Sequence, residues 1–199
     1  MKRRIWLVLA AGLLTACSSA NTPAGPPSAQ DILNKPNQAN VRDAHFTLVA
    51  HVTSGGITFD ATGDGIIVIK PTQASKFTMA TTVSGQNLKF EEIIINGKEY
   101  DLSPDNPHWT VKSSTSSNPG SFKGRNAVYV GEDMLSAGKA WHVKATDDNG
   151  NPFEAWVRES DGYPLKYTSA SPGTSFTASF DRFNTDQTVT APPASDIQP

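Results

Sequence analysis

Cysteine is nearly absent from this sequence, since Cys17 is the only one among 199 residues. A single thiol excludes an internal disulfide, so the fold cannot be held together by disulfide bridges. Long apolar stretches are also missing, because the run from Ile5 to Leu14 is too short to cross a bilayer as a helix. Charge is sparse as well, at 18% of residues. The length of the chain is that of one domain, and without disulfides its hydrophobic core must stabilise the fold.

The first 16 residues have the pattern of a cleaved export signal, with basic residues at 2–4 followed by the apolar run. The sequence Leu14-Thr15-Ala16-Cys17 ends this run and resembles the lipobox of bacterial lipoproteins, whose cysteine receives acyl chains. Two or more chains anchor a protein stably at a membrane. An ordinary signal peptide with a chance cysteine is the alternative. We expect the protein to be held at the extracytoplasmic face of the cell membrane through acylated Cys17.

Cleavage before Cys17 would remove three basic residues and leave 14 basic against 19 acidic residues, a formal net charge of −5. This balance argues against nucleic acid as a partner. Residues 18–30 are rich in Ser, Ala, Asn, Thr, Pro and Gly, a composition that does not fold alone. We therefore divide the chain into a signal peptide (1–16), a lipidated flexible tether (17–27), one domain (28–190) and an extended tail (191–199), and we expect a monomer.

Only one helix is predicted. Ser28 is a suitable N-cap for a short segment that holds Ile32 and Leu33, and Pro36 is expected to interrupt it before Val41. From Ala44 onwards the sequence alternates between strands of period two and turns, with about ten or eleven strands at hairpin spacing.

Turn signals separate these strands. Asn96-Gly97 is the strongest hairpin signal, because a two-residue turn of that type needs positive φ at both positions. Gly63-Asp64-Gly65 is expected to form a bulge or bend. Residues 113–124 form a loop without periodicity.

One face of the sheet is strongly apolar, and a single helix cannot cover it. A helix of 10 to 15 residues is about 15 to 22 Å long, whereas ten strands at about 4.8 Å each make a sheet more than about 40 Å wide. Closure of the sheet into a packed core, a partner subunit or a bound acyl chain could cover the remainder. The sequence leaves these alternatives open.

Catalytic and metal-binding patterns are missing. No Gly-x-Ser-x-Gly elbow or phosphate-binding loop is present, so we expect no enzyme activity and no cofactor. His45 and His51 share a face but lie about 20 Å apart, which excludes a shared metal ion. The segment 147–151 is interpreted as a hairpin turn, not as a calcium loop. Trp109, Trp141 and Trp156 lie on predicted strands, where a buried tryptophan usually belongs to the core. Trp156 is in phase with Glu154 and Arg158, which is the alternative of a position facing outward or at the rim of an opening.

The order of these elements resembles the LppX/LprG-type bacterial lipoproteins. The resemblance rests on spaced features along the chain: the helix-like start into 44–48, Gly63-Asp64-Gly65, the 96–100 hairpin before Trp109, 138–143, Gly162-Tyr163-Pro164-Leu165 and the closing residues 183–193. It implies a mainly β (α+β) fold, a strongly curved antiparallel half-barrel of about 10–11 strands with an N-terminal helix, similar to LolA and LolB. The concave face and its cover would enclose a hydrophobic cavity for lipid.

The sequence departs from this family where helical cover is usual. Residues 113–126 are rich in Ser and Gly, and only Gly131 to Ala137 could form a turn of helix. A shallower or open cavity is therefore expected.

The predicted function is binding of a lipid or glycolipid for carriage or transfer in the cell envelope. The alternative is a non-enzymatic interaction or regulatory module with the same fold and no bound lipid. The candidate lining of the cavity, with no metal site and no catalytic residue, is Phe46, Leu48, Ile57, Phe59, Phe77, Met79, Leu88, Phe90, Trp109, Trp141, Leu165 and Phe176.

Overall fold

A computed structural model of the chain describes residues 25–54, 56–114 and 123–198. In chain order the helix and strands are α1 (Ala29–Gln38), β1 (Asp43–Ser54), β2 (Ile57–Val68), β3 (Ala74–Val83), β4 (Gln86–Ile95), β5 (Lys98–Leu102), β6 (Thr110–Ser113), β7 (Arg125–Leu135), β8 (Gly138–Thr146), β9 (Pro152–Arg158), β10 (Pro164–Ser171) and β11 (Thr174–Asp181). A 3-10 turn follows at Ala194–Asp196.

All eleven strands form one antiparallel sheet in the order β6-β5-β4-β3-β2-β1-β11-β10-β9-β8-β7. Each strand therefore pairs with its sequence neighbours, except that β1 pairs with β11 in the middle of the sheet and β6 and β7 form its two edges. The sheet does not close into a barrel. The prediction of a mainly β half-barrel with an N-terminal helix is confirmed.

The chain length between the two edges requires the sheet to curve. Eleven flat strands at about 4.8 Å spacing would be about 48 Å wide. The link from Ser113 on β6 to Arg125 on β7 has a contour length of about 43 Å at most. These two residues also lie at opposite ends of their strands, because Ser113 pairs with Lys98 whereas Arg125 pairs with Thr146. The edges must therefore bend towards each other.

Helix α1 begins as predicted and ends later than predicted. The Ser28 hydroxyl caps it by accepting a hydrogen bond from the backbone N–H of Asp31 at 3.1 Å. Pro36 lies inside the helix, so the expected interruption at this residue is wrong. The helix ends only two residues later, at Gln38, and the Ala39 N–H bonds to the Lys35 carbonyl at 2.9 Å. Pro36 is buried, which offsets part of the cost of its missing N–H.

The hairpin prediction at Asn96-Gly97 is confirmed. Ile95 pairs with Lys98, and the two turn residues have φ angles of 54° and 71°. The bulge expected at Gly63-Asp64-Gly65 is wrong, because these residues pair in regular register with both neighbouring strands. The two glycines instead leave room on one face, where the ring of Phe77 lies over Gly63 and the ring of Phe46 lies over Gly65.

The expected turn of helix between Gly131 and Ala137 is a strand. Strand β7 continues to Leu135, with a register shift between Tyr129 and Gly131, and the turn to β8 follows at residues 136–137. Most of the Ser/Gly-rich loop expected at 113–124 lies outside the described residues.

The C-terminal tail, predicted as extended, is bonded to the sheet. The Trp109 N–H donates to the Asp196 carbonyl, and the Gln198 N–H donates to the Trp109 carbonyl, both at 2.8 Å. Val189 and Ile197 pack against a cluster of Ile93, Tyr100 and Trp109. Residues 191–198 therefore belong structurally to the domain.

No helix in the described part of the chain combines the length and the apolar character needed to span a membrane.

Replacement of Gly65 by alanine is predicted to destabilise the fold. The added methyl group would meet the Phe46 ring and, at 2.7 Å, the Lys76 carbonyl oxygen, which cannot move without disturbing the sheet. We expect a loss of about 1 to 3 kcal/mol in the free energy of unfolding, measured by urea denaturation. The matched control is Gly25→Ala, since the new methyl group has open space there. Equal stability of the two variants would contradict the prediction.

Candidate functional site

The two faces of the sheet differ in chemistry. We call the face on which α1 packs the helix face. Strand register assigns residues to it, because Phe46 pairs with Phe180 on one side and with Gly65 on the other, and Gly65 pairs with Phe77. Side chains that alternate with these residues point to the opposite face.

Helix α1 covers only one side of the helix face. Its main contacts are with β7, β8 and β9. The side chains of Ile32 and Leu33 are fully buried there, in a cluster with Val143, Phe153 and Val157. Because the helix has ten residues, it is only about 15 Å long and does not extend across the remaining strands.

The uncovered side of the helix face carries half-buried apolar side chains on several strands. Eight of them, from β1 to β4 and β11, define the surface that we call the apolar groove: Phe46, Leu48, Phe59, Phe77, Met79, Leu88, Phe90 and Phe176. Contiguous apolar patches on a protein surface mark binding sites in many proteins. All eight residues belong to the predicted cavity lining.

Aromatic rings form the floor of the apolar groove. The rings of Phe46 and Phe77 stack with centroids 5.5 Å apart and planes inclined by 19°. Tyr167 continues the row, because its ring stacks on Phe176 at 5.5 Å and on Phe153 at 5.0 Å. The stacked rings form a largely apolar surface along these strands, and the Tyr167 hydroxyl is the polar group of the row.

Four other residues of the predicted lining lie elsewhere. Trp109 is on the opposite face, where it packs with Ile93 and Tyr100, so its expected place in the lining is wrong. Leu165 packs with Ala140 and Trp156 on the opposite face, so its expected place in the lining is also wrong. A register shift between residues 164 and 166 alters the alternation on which that prediction depended.

Ile57 and Trp141 complete the predicted set. Ile57 is 59% exposed beside the β1–β2 turn, at the end of the groove. Trp141 is on the helix face but is covered by α1, with the Lys35 amino group 5.2 Å from its ring centroid.

Acidic residues border the helix face at the β4–β6 edge. Register places Glu92 opposite Asp101, and Glu99 opposite Lys112. The Lys112 amino group lies 3.0 Å from a carboxylate oxygen of both Glu99 and Asp101. Carboxylate oxygens of the three acids lie within 4.8 Å of one another, close enough to hold a cation. Lys112 supplies a positive charge beside two of the three carboxylates.

The acidic residues affect one another's titration. Burial, followed by the negative charges of Glu99 and Asp101, raises the pKa of Glu92 above its ordinary value. Hydrogen bonds to Glu99 and then to Asp101 raise the pKa of Lys112. Sequence reasoning did not identify this cluster. The Asn96-Gly97 hairpin could have revealed it, because pairing of Ile95 with Lys98 fixes the pairing of Glu92 with Asp101.

Histidines on the opposite face are paired with carboxylates. His45, whose side chain is 7% exposed, lies between Asp64 at 2.7 Å and Asp181 at 2.5 Å. His51 contacts Asp60 at 2.5 Å. These contacts join three adjacent strands, β11, β1 and β2, and stabilise the middle of the sheet.

Trp156 faces away from the groove, as predicted, but it does not border an opening. Its ring stacks on His142 at 4.1 Å, and the Lys166 amino group lies 4.4 Å from its centroid. Its indole N–H donates to Asp133 at 2.6 Å. Because Trp156 is only 7% exposed, the expectation of an open position is wrong.

A separate cleft of about 610 Å³ lies between the C-terminal segment and one end of the sheet. Its apolar walls include Val68, Ile95 and Val189, and Arg42 and Lys70 lie among its polar residues. Because Val68 alternates with Ile67 of the helix-face core, this cleft is on the opposite face and is not part of the apolar groove.

Three solved structures share this architecture at low sequence identity. LprF from Mycobacterium bovis has a TM-score of 0.57, with 11% identity over 84% of this chain and 98% of LprF. The Mycobacterium tuberculosis lipoprotein LppX has a TM-score of 0.51, with 13% identity over 81% of this chain and 99% of LppX. An uncharacterized conserved protein from Thermus thermophilus has a TM-score of 0.52, with 13% identity over 86% of this chain and 98% of that protein.

At such identities the likeness establishes the fold, and the LppX/LprG-type fold expected from the sequence is confirmed. No protein-family model matches the sequence, and no curated protein matches it.

Replacement of Glu92 by glutamine is predicted to stabilise the fold at pH 7. Because the folded protein raises the pKa of Glu92, its ionisation is easier in the unfolded chain. The destabilising effect is absent below the unfolded pKa of about 4.3 and develops as the pH rises through the folded pKa. We therefore expect a higher urea midpoint for Glu92→Gln at pH 7 and no difference near pH 4.

The matched control is Glu91→Gln, on the opposite face of the same strand, where Glu91 pairs with Lys89 at 2.8 Å. This change removes an ion pair and should bring no gain at either pH. A gain of equal size in both variants would show that the clustered carboxylates are not its cause.

Proposed function

We propose that this chain is a membrane-anchored lipoprotein that binds the acyl chains of a lipid or glycolipid in the apolar groove, for carriage or transfer in the cell envelope. The observation that carries the proposal is the row of half-buried apolar side chains on a face that α1 covers only in part. The fold shared with LprF and with the lipoprotein LppX is consistent with it.

The physical argument concerns apolar area that the domain leaves partly in water. Full burial of a large apolar side chain is worth about 1.5 to 3 kcal/mol, and the eight groove residues realise only part of this. A hydrocarbon chain laid along the groove would also remove its own surface from water, at about 0.8 kcal/mol per CH₂. Part of this gain in free energy is lost to the entropic cost of ordering the ligand. A long acyl chain therefore suits the groove better than a small polar molecule.

The strands beneath the groove are long enough for an elongated ligand. Strands β1 and β2 have twelve residues each, which corresponds to a length of about 40 Å. Its floor consists of aromatic rings and Met79, a flexible side chain that adapts to irregular apolar surfaces. The acidic edge at Glu92, Glu99 and Asp101 would lie beside the ligand and could meet the hydroxyl groups of a polar head.

The anchor would be Cys17, which lies outside the described residues. Acylation there would hold the domain at the extracytoplasmic face of the membrane, from which lipid could be taken. Two acyl chains suffice for stable attachment.

The contacts of His45 are those of a structural histidine. Both of its ring nitrogens are engaged by carboxylates of neighbouring strands, Asp181 and Asp64. Neither nitrogen is therefore free to take a proton from a hydroxyl or thiol nucleophile.

Lipid uptake by a chain that begins at Ser18, which keeps every described helix and strand, tests the proposal. A fluorescent long-chain fatty acid and total membrane phospholipid serve as probes, with native mass spectrometry for co-purified lipid. Met79→Glu places a charge in the groove and should weaken uptake by about tenfold or more. Circular dichroism establishes whether each variant is folded.

The matched control is Ala80→Glu on the opposite face of the same strand, where Ala80 is exposed and pairs with Lys89. Its uptake should equal that of the unmodified chain. If Met79→Glu does not fold, Phe90→Ser replaces it. Failure of the unmodified chain to bind either probe would overturn the proposal in favour of a lipid-free interaction module.

A further inference from the structure

The hairpins in the middle of the sheet differ in charge between its two ends. The hairpins that join β1 to β2, β3 to β4 and β10 to β11 all lie at one end, and residues 53–58, 82–87 and 168–175 include no Asp, Glu, Lys, Arg or His. We call this the uncharged end. The Thr53 N–H donates to the Gly173 carbonyl at 2.6 Å and so joins two of these hairpins.

The opposite end is charged. The connections there carry Lys70 after β2, Lys98 after the Asn96-Gly97 turn, Glu159 and Asp161 after β9, and Arg182 and Asp186 after β11. Transfer of a charged side chain from water to a membrane is costly. The free energy of contact with a bilayer therefore favours the uncharged end.

The tether joins the domain at the uncharged end. The Gln30 side chain in the first turn of α1 donates to the Gly124 carbonyl at 3.3 Å, and Gly124 lies against Phe153 and Thr146 beside the β8–β9 hairpin. The last turn of α1 is at the other end, where Tyr163 donates to the Asn40 carbonyl at 3.2 Å. The chain leading back to Cys17 therefore starts at the uncharged end.

The length of the tether limits how far the domain can lie from the membrane. The eleven residues from Cys17 to Ser28 span at most about 40 Å. The charged end is about 40 Å further along the strands. An acylated Cys17 therefore holds the uncharged end close to the bilayer, whereas the charged end would reach it only if the tether were fully stretched.

The apolar groove is closed at the charged end and open at the other. Pro36, Val41 and Ala44 pack against Ile67 and Phe180 at the charged end, where the remaining void is only about 10 Å³. At the uncharged end the groove finishes in the half-buried Phe59, Leu88 and Phe176, and Ile57 at the hairpin is 59% exposed.

We infer that the uncharged end is a docking surface for the phospholipid membrane in which Cys17 is anchored, so that an acyl chain passes lengthwise from the bilayer into the groove. This inference rests on the proposed function. Charged and titratable residues at the flanks of this end confine the contact to the three central hairpins: Asp105 and His108 on one side, and Lys123, Arg125, Asp147 and Asp148 on the other. A zwitterionic lipid surface is the expected partner.

Site-specific labelling tests the orientation. Because an acylated Cys17 has no free thiol, a second cysteine introduced by substitution becomes the single labelling site. Ile57→Cys and Thr72→Cys place an environment-sensitive fluorophore at the uncharged and the charged end, and both residues are exposed.

The acylated chain is reconstituted in phosphatidylcholine vesicles that contain nitroxide-labelled lipid. We expect quenching of the label at residue 57 and little quenching at residue 72. Equal quenching at both ends, or stronger quenching at residue 72, would overturn the inference.

A second measurement separates lipid binding from membrane docking. Ser84→Asp adds a charge to the uncharged end, at an exposed residue of the β3–β4 turn that is not part of the predicted lining, and Thr72→Asp is its matched control. Ser84→Asp should slow extraction of a fluorescent fatty acid from phosphatidylcholine vesicles by about fivefold or more, while its affinity for the same fatty acid in solution stays unchanged. An unchanged extraction rate would overturn the docking inference alone, whereas loss of binding in the unmodified chain would overturn the proposed function.

Discussion

The structure depends on the burial of one apolar face of a wide open sheet. Eleven strands offer far more surface than a helix of ten residues can cover. The sheet curves, and α1 covers mainly β7 to β9. The remaining surface is the apolar groove, whose side chains stay half-buried. The proposed role in lipid binding follows from this mismatch between the area of the sheet and the length of the helix.

Glycine and aromatic residues make the groove possible. Gly63 and Gly65 leave out two side chains on β2, and the rings of Phe77 and Phe46 occupy the space above them. The rings can therefore lie along the sheet and form a continuous floor. On the opposite face of the same strands, His45 and the carboxylates of Asp64 and Asp181 join β2, β1 and β11. Apolar packing on one face and polar pairing on the other thus stabilise the same central strands.

Three features lie at the same end of the sheet. They are the open end of the groove, the hairpins without charge and the start of the tether. The groove is filled by α1 and the link to β1 at the end where Lys70, Asp161 and Arg182 lie, and it is open at the end where the hairpins lack charge. The chain towards Cys17 also begins at the open end, because the first turn of α1 lies there. The proposed anchored lipid carrier would need its opening close to the bilayer, and this arrangement is consistent with that proposal.

Local sequence signals alone determined much of the fold. The Ser28 cap, the Asn96-Gly97 turn and the alternation of apolar residues predicted one helix and about eleven strands, because each depends on neighbouring residues only. The eight groove residues were identified in the same way. Tertiary structure decided the rest. The register shift at Leu165 reversed its face, the C-terminal segment covered Trp109, and cross-strand pairing brought Glu92, Glu99 and Asp101 together. These outcomes depend on contacts between residues far apart in the chain or on adjacent strands, which periodicity within a single strand does not specify.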